Sequence, residues 1–185
     1  DVTDLASVSA LVAAHPVRGV IHAAGTLDDV PLSSMDPHRL DGVLAPKLAG
    51  AWALHRALAG TRLDFMIHMS STAALFGGPA QGNYAAANAG LDALAQMRRA
   101  HGQPALSMVW PVLSGPGLAV GGGDADIGLD PLEPEQVMAV LDSALGLNVP
   151  VVVPLPVDWQ RFRGLRAGSA PAPLIADLVR GHGPV

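Results

Sequence analysis

Tyr84 is the one tyrosine in 185 residues, and it stands in a stretch of small residues, SSTAALFGGPAQGNYAAANAG, from Ser70 to Gly90. A phenol has a pKa near ~10 and is a poor acid at neutral pH. A nearby ammonium favours the phenolate and lowers that value, and Lys47 is the candidate. So tuned, the phenol can donate a proton to an alkoxide as it forms. A hydroxyl at a strand end, Ser71, can hydrogen-bond the same carbonyl oxygen. Its neighbour Ser70 should face the other way, by the alternation of side chains along a strand. Asn88 follows Tyr84 by four residues and shares its helix face. Its amide can hold a lysine or an ordered water in a proton relay. Together these groups suit hydride addition to a ketone, in which a cofactor delivers hydride and the protein supplies proton and orientation.

These side chains need elements to carry them. DLASVSALVAA reads as a helix capped by Thr3 or Asp4. VRGVIHAAG reads as a buried strand running into a loop of small residues. A long helical stretch runs from Met35 to Gly60, opened by Asp36 and Pro37, and Pro46 should break or kink it. LDFMIHMSS is a second strand, NYAAANAGLDALAQMRRAHG a helix stopped by Gly102, and ALSMVWP a third strand. A glycine-rich loop, GPGLAVGGGDADIGLD, precedes a helix, EPEQVMAVLDSALG, and a fourth strand, VPVVVPLP. DWQRFRGL reads as a short helical turn, GSAPAP as a linker and LIADLVRG as a weak helix. Strands alternating with helices predict an α/β, Rossmann-like parallel sheet with helices on both faces. A ligand would then sit at the carboxyl ends of the strands.

Composition narrows the classes. Half of the residues are hydrophobic and 15% are charged, which fits a compact domain and not a disordered chain. The net charge is -5 with no basic run, so nucleic acid is not an expected partner. No apolar run reaches the ~20 residues of a membrane helix. No cysteine is present, which removes disulfides and thiolate metal sites. His22 and His68 lie in apolar strands without metal-ligand spacing, so no metal is expected. With no signal-peptide pattern, a cytoplasmic location is the default. DVTDLASVSALV reads as an interior stretch, so a piece of a longer chain is expected.

The motifs GVIHAAGTLDD, APKLAGAWALH and MSSTAALFGGPAQGNYAAANAGLDALAQMRRAHG, with DVTD before them and DWQRF after, cover nearly the whole chain. In this order they resemble the catalytic half of a polyketide synthase ketoreductase domain, a member of the short-chain dehydrogenase/reductase superfamily. Much of that superfamily has Tyr-x-x-x-Lys with an asparagine upstream. Here the segment is Tyr-x-x-x-Asn with Lys47 upstream, an exchange typical of polyketide synthase and related fatty-acid synthase ketoreductases. The resemblance implies that Tyr84 is the proton donor, Ser71 the carbonyl-orienting hydroxyl, and Lys47 and Asn88 the rest of the relay. It implies NADPH as cofactor. Asp1 and Val2 would touch its adenine, the tight loop Ala23, Ala24 and Gly25 would lie beside its ribose, and Lys47 and Tyr84 would also meet it.

The same resemblance assigns Asp29, in the LDD of Leu27 to Asp29, to stereocontrol. It marks the B type, whose product carries the (3R), or D, hydroxyl. Phe76 replaces the tryptophan that marks the A type, eight residues before Tyr84. Ala86 stands where a proline would mark epimerised substrates. The implied substrate is a β-ketoacyl group on an acyl carrier protein, linked through phosphopantetheine, with other synthase domains as partners. Residues 1–165 would be the C-terminal part of the catalytic domain, and 166–185 a linker and tail. Two departures stand out. The glycine-rich phosphate fingerprint is absent, so the N-terminal half of the Rossmann unit is expected to be missing and the chain by itself inactive. WPVL also departs from the usual Trp-Gly-Pro-Trp, with Pro111 at the glycine and Leu113 at the second tryptophan. A non-reducing structural domain and a fatty-acid-synthase-type ketoreductase are the alternatives.

Overall fold

The computed structural model describes residues 1–114 and 130–158. The chain divides into two compact units, Asp1–Trp110 with Met138–Pro154, and Pro111–Val137 with Leu155–Val185.

The first unit is built on four parallel strands in the order β1 (Gly19–His22), β2 (Phe65–Ser71), β3 (Leu106–Trp110), β4 (Val151–Val152). This is the expected Rossmann-like sheet. β3 is buried at every residue, as its continuous apolar run requires. β4 is shorter than VPVVVPLP predicts. Pro150, Pro154 and Pro156 surround it, and proline has no N–H to give a ladder.

Local chemistry sets the helix bounds. Asp4 caps α1 (Leu5–Ala14), its carboxylate accepting the Ala6 N–H at 3.0 Å. Asp36 caps α2 (Pro37–Leu44) by accepting the Arg39 N–H at 2.9 Å. The helix does change at Pro46, by widening rather than breaking. Ala45–Ala49 form a π-helical turn that leads straight into α3 (Gly50–Ala57). Proline cannot donate to the preceding turn and its ring crowds the carbonyl four residues back. The Gly50 N–H reaches back instead to the Ala45 carbonyl. A short α4 (Ala73–Phe76) follows β2, and α5 (Gly82–Ala100) is stopped as expected by Gly102, whose φ is +70°. α6 (Pro134–Leu145) precedes β4.

Helices cover both faces. Met66, with Leu58 and Leu63, packs against Val12 of α1 and Leu54 of α3. Ser70, on the same face of β2, reaches α5. On the opposite face Met69 pairs in register with Met108, and Met108 with Val152. Val152 shares a hollow with Ala139, Val140 and Ser143 of α6.

Of the second unit, Leu113 and Leu132 pair in a parallel bridge, and the Ser114 N–H donates to the Leu132 carbonyl at 3.0 Å. The glycine run Gly121 to Gly123, DWQRF beyond Asp158, and the stretch 166–185 lie outside the described residues. Among the described residues no helix is long and apolar enough to cross a membrane.

His68 lies in the middle of β2, fully buried, and neither ring nitrogen finds a hydrogen-bond partner among the described residues. A neutral imidazole always carries one N–H, and burying it unpaired costs about 1–3 kcal/mol. Burial pushes its pKa down to about 3, helped by the fields of His22, Arg98 and His55. The unfolded chain takes this proton near pH 6.5 while the folded one does not. Stability therefore falls by about 1.4 kcal/mol per pH unit as pH drops from ~6.5 toward ~3. His22 is shifted in the same direction by its own burial. His68→Leu is expected to raise stability at pH 7 by about 1 kcal/mol and to remove His68's share of the acid slope. Urea unfolding at pH 7 and pH 5 checks this; an unchanged acid slope would sink the account.

Candidate active site

Lys47 is the chain's only lysine and is 3% exposed. The π turn carries it inward. His22 at the end of β1 reads the same turn, its Nε2–H donating to the Lys47 carbonyl at 2.7 Å. π turns recur at functional sites because they offer backbone groups that a regular helix hides. The turn lies close against α5: a Cβ on Gly90 would meet both Leu48 methyls at 2.8 Å. Glycine here allows the approach that brings Lys47 to its partners.

The Lys47 ammonium donates to the Met69 carbonyl and to Asn88 Oδ1, each at 3.0 Å. The other side of the Asn88 amide donates to the Tyr84 carbonyl at 2.8 Å. This fixes which way the amide points. The Lys47 nitrogen lies 5.1 Å from the centre of the Tyr84 ring, within cation–π range. The lysine and asparagine thus meet in space although they are 41 residues apart.

β2 ends with the two serines on opposite sides, as alternation predicts. Ser70 is buried and donates to the Asn88 carbonyl at 3.3 Å. Ser71 Oγ accepts the Ala73 N–H at 3.2 Å and also interacts with the Tyr84 hydroxyl.

Burial raises the Tyr84 pKa; hydrogen bonding to Ser71 and Asn88 opposes this, and the charge of Asp29 adds to it. The net direction is up. This corrects the expectation of a lowered phenol: loss of water around the ring outweighs its hydrogen bonding to Ser71 and Asn88. The cost falls on Lys47 as well. Its pKa drops to about 8 through burial, against the pull of Asp92.

Asp29 is exposed and accepts from Gln81 Nε2 at 3.0 Å. Its neighbour Asp28 pairs with Arg39 at 2.7 Å, and the Asp28 carbonyl accepts from Asn83 Nδ2 at 2.9 Å. The Val30 N–H donates to the Ala80 carbonyl at 2.7 Å, and Ala80 has a φ of +59°. The loop after β1 is thereby tied to the segment just before Tyr84.

Ala23, Ala24 and Gly25 follow β1 at its carboxyl end, and β1 runs in register with β2. Val2 lies against Gly50, and Asp1 Oδ1 accepts the Thr3 N–H at 2.9 Å. No contact joins Asp1 or Val2 to Lys47 or Tyr84 among the described hydrogen bonds. The donor set suits the ribose end of a nicotinamide cofactor. Two of the three Lys47 donors are used among the described residues, leaving one for a hydroxyl. The set does not suit a pyrophosphate, since no described strand enters a glycine-rich turn at a helix start. Trp110 ends β3, its indole N–H 3.4 Å from the Met69 sulfur, while Pro111 to Leu113 belong to the second unit.

Two buried residues were not anticipated. Asp92 accepts from Ser107 Oγ at 2.5 Å, one turn beyond Asn88. Its spacing, eight residues after Tyr84 on the same helix face, is a signal that was legible. Ser107 carried no such signal, because only the β2–β3 register brings it opposite His68 and under α5.

A family profile described as the KR domain matches residues 1–115. Polyketide synthase GfsB of Streptomyces halstedii is 46% identical over 183 residues, covering 95% of this chain and 3% of that protein. Phenolphthiocerol synthesis polyketide synthase type I Pks15/1 of Mycobacterium marinum is 42% identical over 194 residues, covering 97% and 9%. Among solved structures, the first ketoreductase of the tylosin PKS superposes with a TM-score of 0.84 at 39% identity, covering 90% of this chain and 38% of that one. An A1-type ketoreductase superposes at 0.88 and 32% identity, covering 97% and 41%. The chain spans only a small part of these synthases and well under half of either ketoreductase. Matched by the family profile over most of its length, and folded as those domains are, the chain belongs to the ketoreductase domains of polyketide synthases, within the short-chain dehydrogenase/reductase superfamily.

Proposed function

We propose that this chain is the catalytic, C-terminal part of a ketoreductase that reduces a β-ketoacyl group to a β-hydroxyacyl group during polyketide assembly. The observation that carries the reading is the continuous chain of contacts from buried Lys47 through buried Asn88 to half-buried Tyr84. The cofactor is NADPH and supplies the hydride when bound. Tyr84 holds the proton that the new alkoxide takes. Ser71, at the strand end beside it, orients the carbonyl oxygen. Lys47 lends positive charge to the phenol oxygen as it gives up its proton, and Asn88 holds Lys47 at that distance. The acyl group arrives on the phosphopantetheine of an acyl carrier protein, and neighbouring synthase domains supply and take it. A cytoplasmic setting fits that chemistry.

The test supplies the intact ketoreductase carrying this segment with a β-ketoacyl thioester and NADPH, following absorbance of the reduced nicotinamide. Turnover to the hydroxyacyl product supports the reading. A folded protein that binds the thioester without turnover supports the non-reducing alternative. Repeating the assay with NADH asks whether the 2′-phosphate matters.

Asp29 is assigned to stereocontrol of the B type. It is exposed, held by Gln81, and its charge is felt at Tyr84. Asp29→Ala is expected to leave turnover within about tenfold while the ratio of D to L product falls by roughly tenfold or more. Chiral chromatography of the hydroxyacyl product reads this directly; an unchanged ratio removes Asp29 from that role.

A further inference from the structure

We infer that Asp92 is a positioning residue of the proton relay, a buried carboxylate that keeps Lys47 in its ammonium form beneath Tyr84 and Asn88. The inference rests on the relay reading above and extends it inward. Tyr84, Asn88 and Asp92 occupy successive turns of one face of α5. That face meets two serines from adjacent strands. Ser107 of β3 donates to Asp92 Oδ1 at 2.5 Å, a short bond of the kind a charged acceptor makes. Ser70 of β2 donates to the Asn88 carbonyl at 3.3 Å and also interacts with the Asp92 carboxylate. Lys47, Ser70, Asn88, Asp92 and Ser107 are all buried. A cation taken from water needs an anion nearby. Both groups that accept from Lys47 directly are neutral, the Met69 carbonyl and the Asn88 amide. Asp92, one turn beyond the Asn88 that holds Lys47, supplies the missing negative charge through its field and not through a direct ion pair.

The surrounding titratable groups leave that role to Asp92. His22 on β1 and His68 on β2 are both shifted by burial toward the neutral form. Tyr84 on α5 is shifted toward its protonated form. Burial pulls Lys47 down and Asp92 pulls it back up; burial leaves Asp92 raised overall, with Ser107, Ser70 and Lys47 opposing the rise. The two charges sustain one another, with Ser107 fixing the carboxylate. Asp92 touches neither the phenol nor the carbonyl-orienting serine among the described hydrogen bonds, so it acts through Lys47.

The test is Asp92→Asn in the intact ketoreductase carrying this segment. Asparagine keeps the size and a partner for Ser107 and removes the charge. Expected results are a kcat at pH 8 lower by about fivefold, a KM for the ketone within about twofold, and an alkaline limb of kcat displaced by about one pH unit to lower pH. Near pH 6 the variant should approach wild type. A purely structural role would lower thermal stability and slow the reaction equally at every pH; that unmoved profile overturns the inference. If Asp92→Asn does not fold, Ser107→Ala decides. It leaves the carboxylate without its hydroxyl, so the limb should move the same way by less, and an unmoved limb overturns the inference. The second readout is the Lys47 amine by 15N-lysine NMR, its signal assigned by its loss in Lys47→Arg. A Lys47 titration that moves down in Asp92→Asn, in a wild type that never reduces a ketone, sinks the functional reading and leaves the Asp92 pairing standing. A titration that does not move overturns the pairing whatever the enzyme does.

Discussion

Tyr84→Phe is expected to lower ketone reduction by a factor of about 10²–10⁴ in kcat, the range general-acid catalysis supplies. The substitution removes one oxygen and keeps the ring against which Lys47 sits, 5.1 Å from its centre. The fold should survive the loss of that oxygen: its partners are the side chains of Ser71 and Asn88, while further hydrogen bonds tie Tyr84 to Asn83 and Asn88 through its backbone. Cofactor affinity should therefore change little, and the loss should fall on kcat and kcat/KM alike. Steady-state kinetics with a β-ketoacyl thioester, beside a titration of reduced-nicotinamide fluorescence, separates the two. Turnover within about tenfold of wild type would remove Tyr84 from the chemistry. Burial is the largest influence on the phenol and raises its pKa, so Tyr84 stays protonated at neutral pH. That suits a donor to ketone and leaves the positive charge of Lys47 to act as the proton departs.

Lys47→Met carries the second large effect, a loss of about 10²–10³ in kcat together with loss of the alkaline limb of the wild-type profile. With Lys47 lowered to about 8, wild-type reduction should decline as pH rises past that value. Stability runs the other way. The folded chain gives up the Lys47 proton near pH 8 while the unfolded chain keeps it to about 10.5. Between these values the unfolded state binds more protons, so folding stability rises with pH while activity falls. Methionine abolishes both trends: it fills the volume, brings no charge, and leaves Asn88 Oδ1 and the Met69 carbonyl without their shared donor. A pH profile of kcat and urea unfolding from pH 7 to 10 measure the pair of trends. A variant that keeps the wild-type alkaline limb would show that another group titrates there.

Much of this was legible in the chain because its signals are local. Asp4 and Asp36 announce helix starts through bonds to N–H groups two or three residues on. Gly102 stops α5 because a left-handed φ suits glycine. The apolar runs ending at His22, Ser71 and Trp110 read as buried parallel strands; all three pair in parallel and β3 is buried throughout, but β1, paired on one side only, leaves Ile21 53% exposed. Pro46 was legible as a disturbance but not as a π turn. Whether a helix breaks or widens there depends on what packs against it, here α5 through Gly90 and β1 through His22. The shortening of β4 was written in its prolines, whose missing donors outweigh the β-branched run between them.

By itself the sequence determined the parallel sheet and the order of its elements, and it singled out Tyr84, Ser71, Lys47 and Asn88 as candidates for chemistry. Residue type and local pattern suffice for the elements, and the order of motifs along the chain picks out the candidates. The tertiary structure alone decided how those groups stand toward one another electrically. It buried the only lysine, raised the phenol it was expected to lower, and placed Asp92 and Ser107 beneath them. Charge energetics depend on desolvation and on neighbours tens of residues away in the chain, and neither exists until β2, β3 and α5 have packed together.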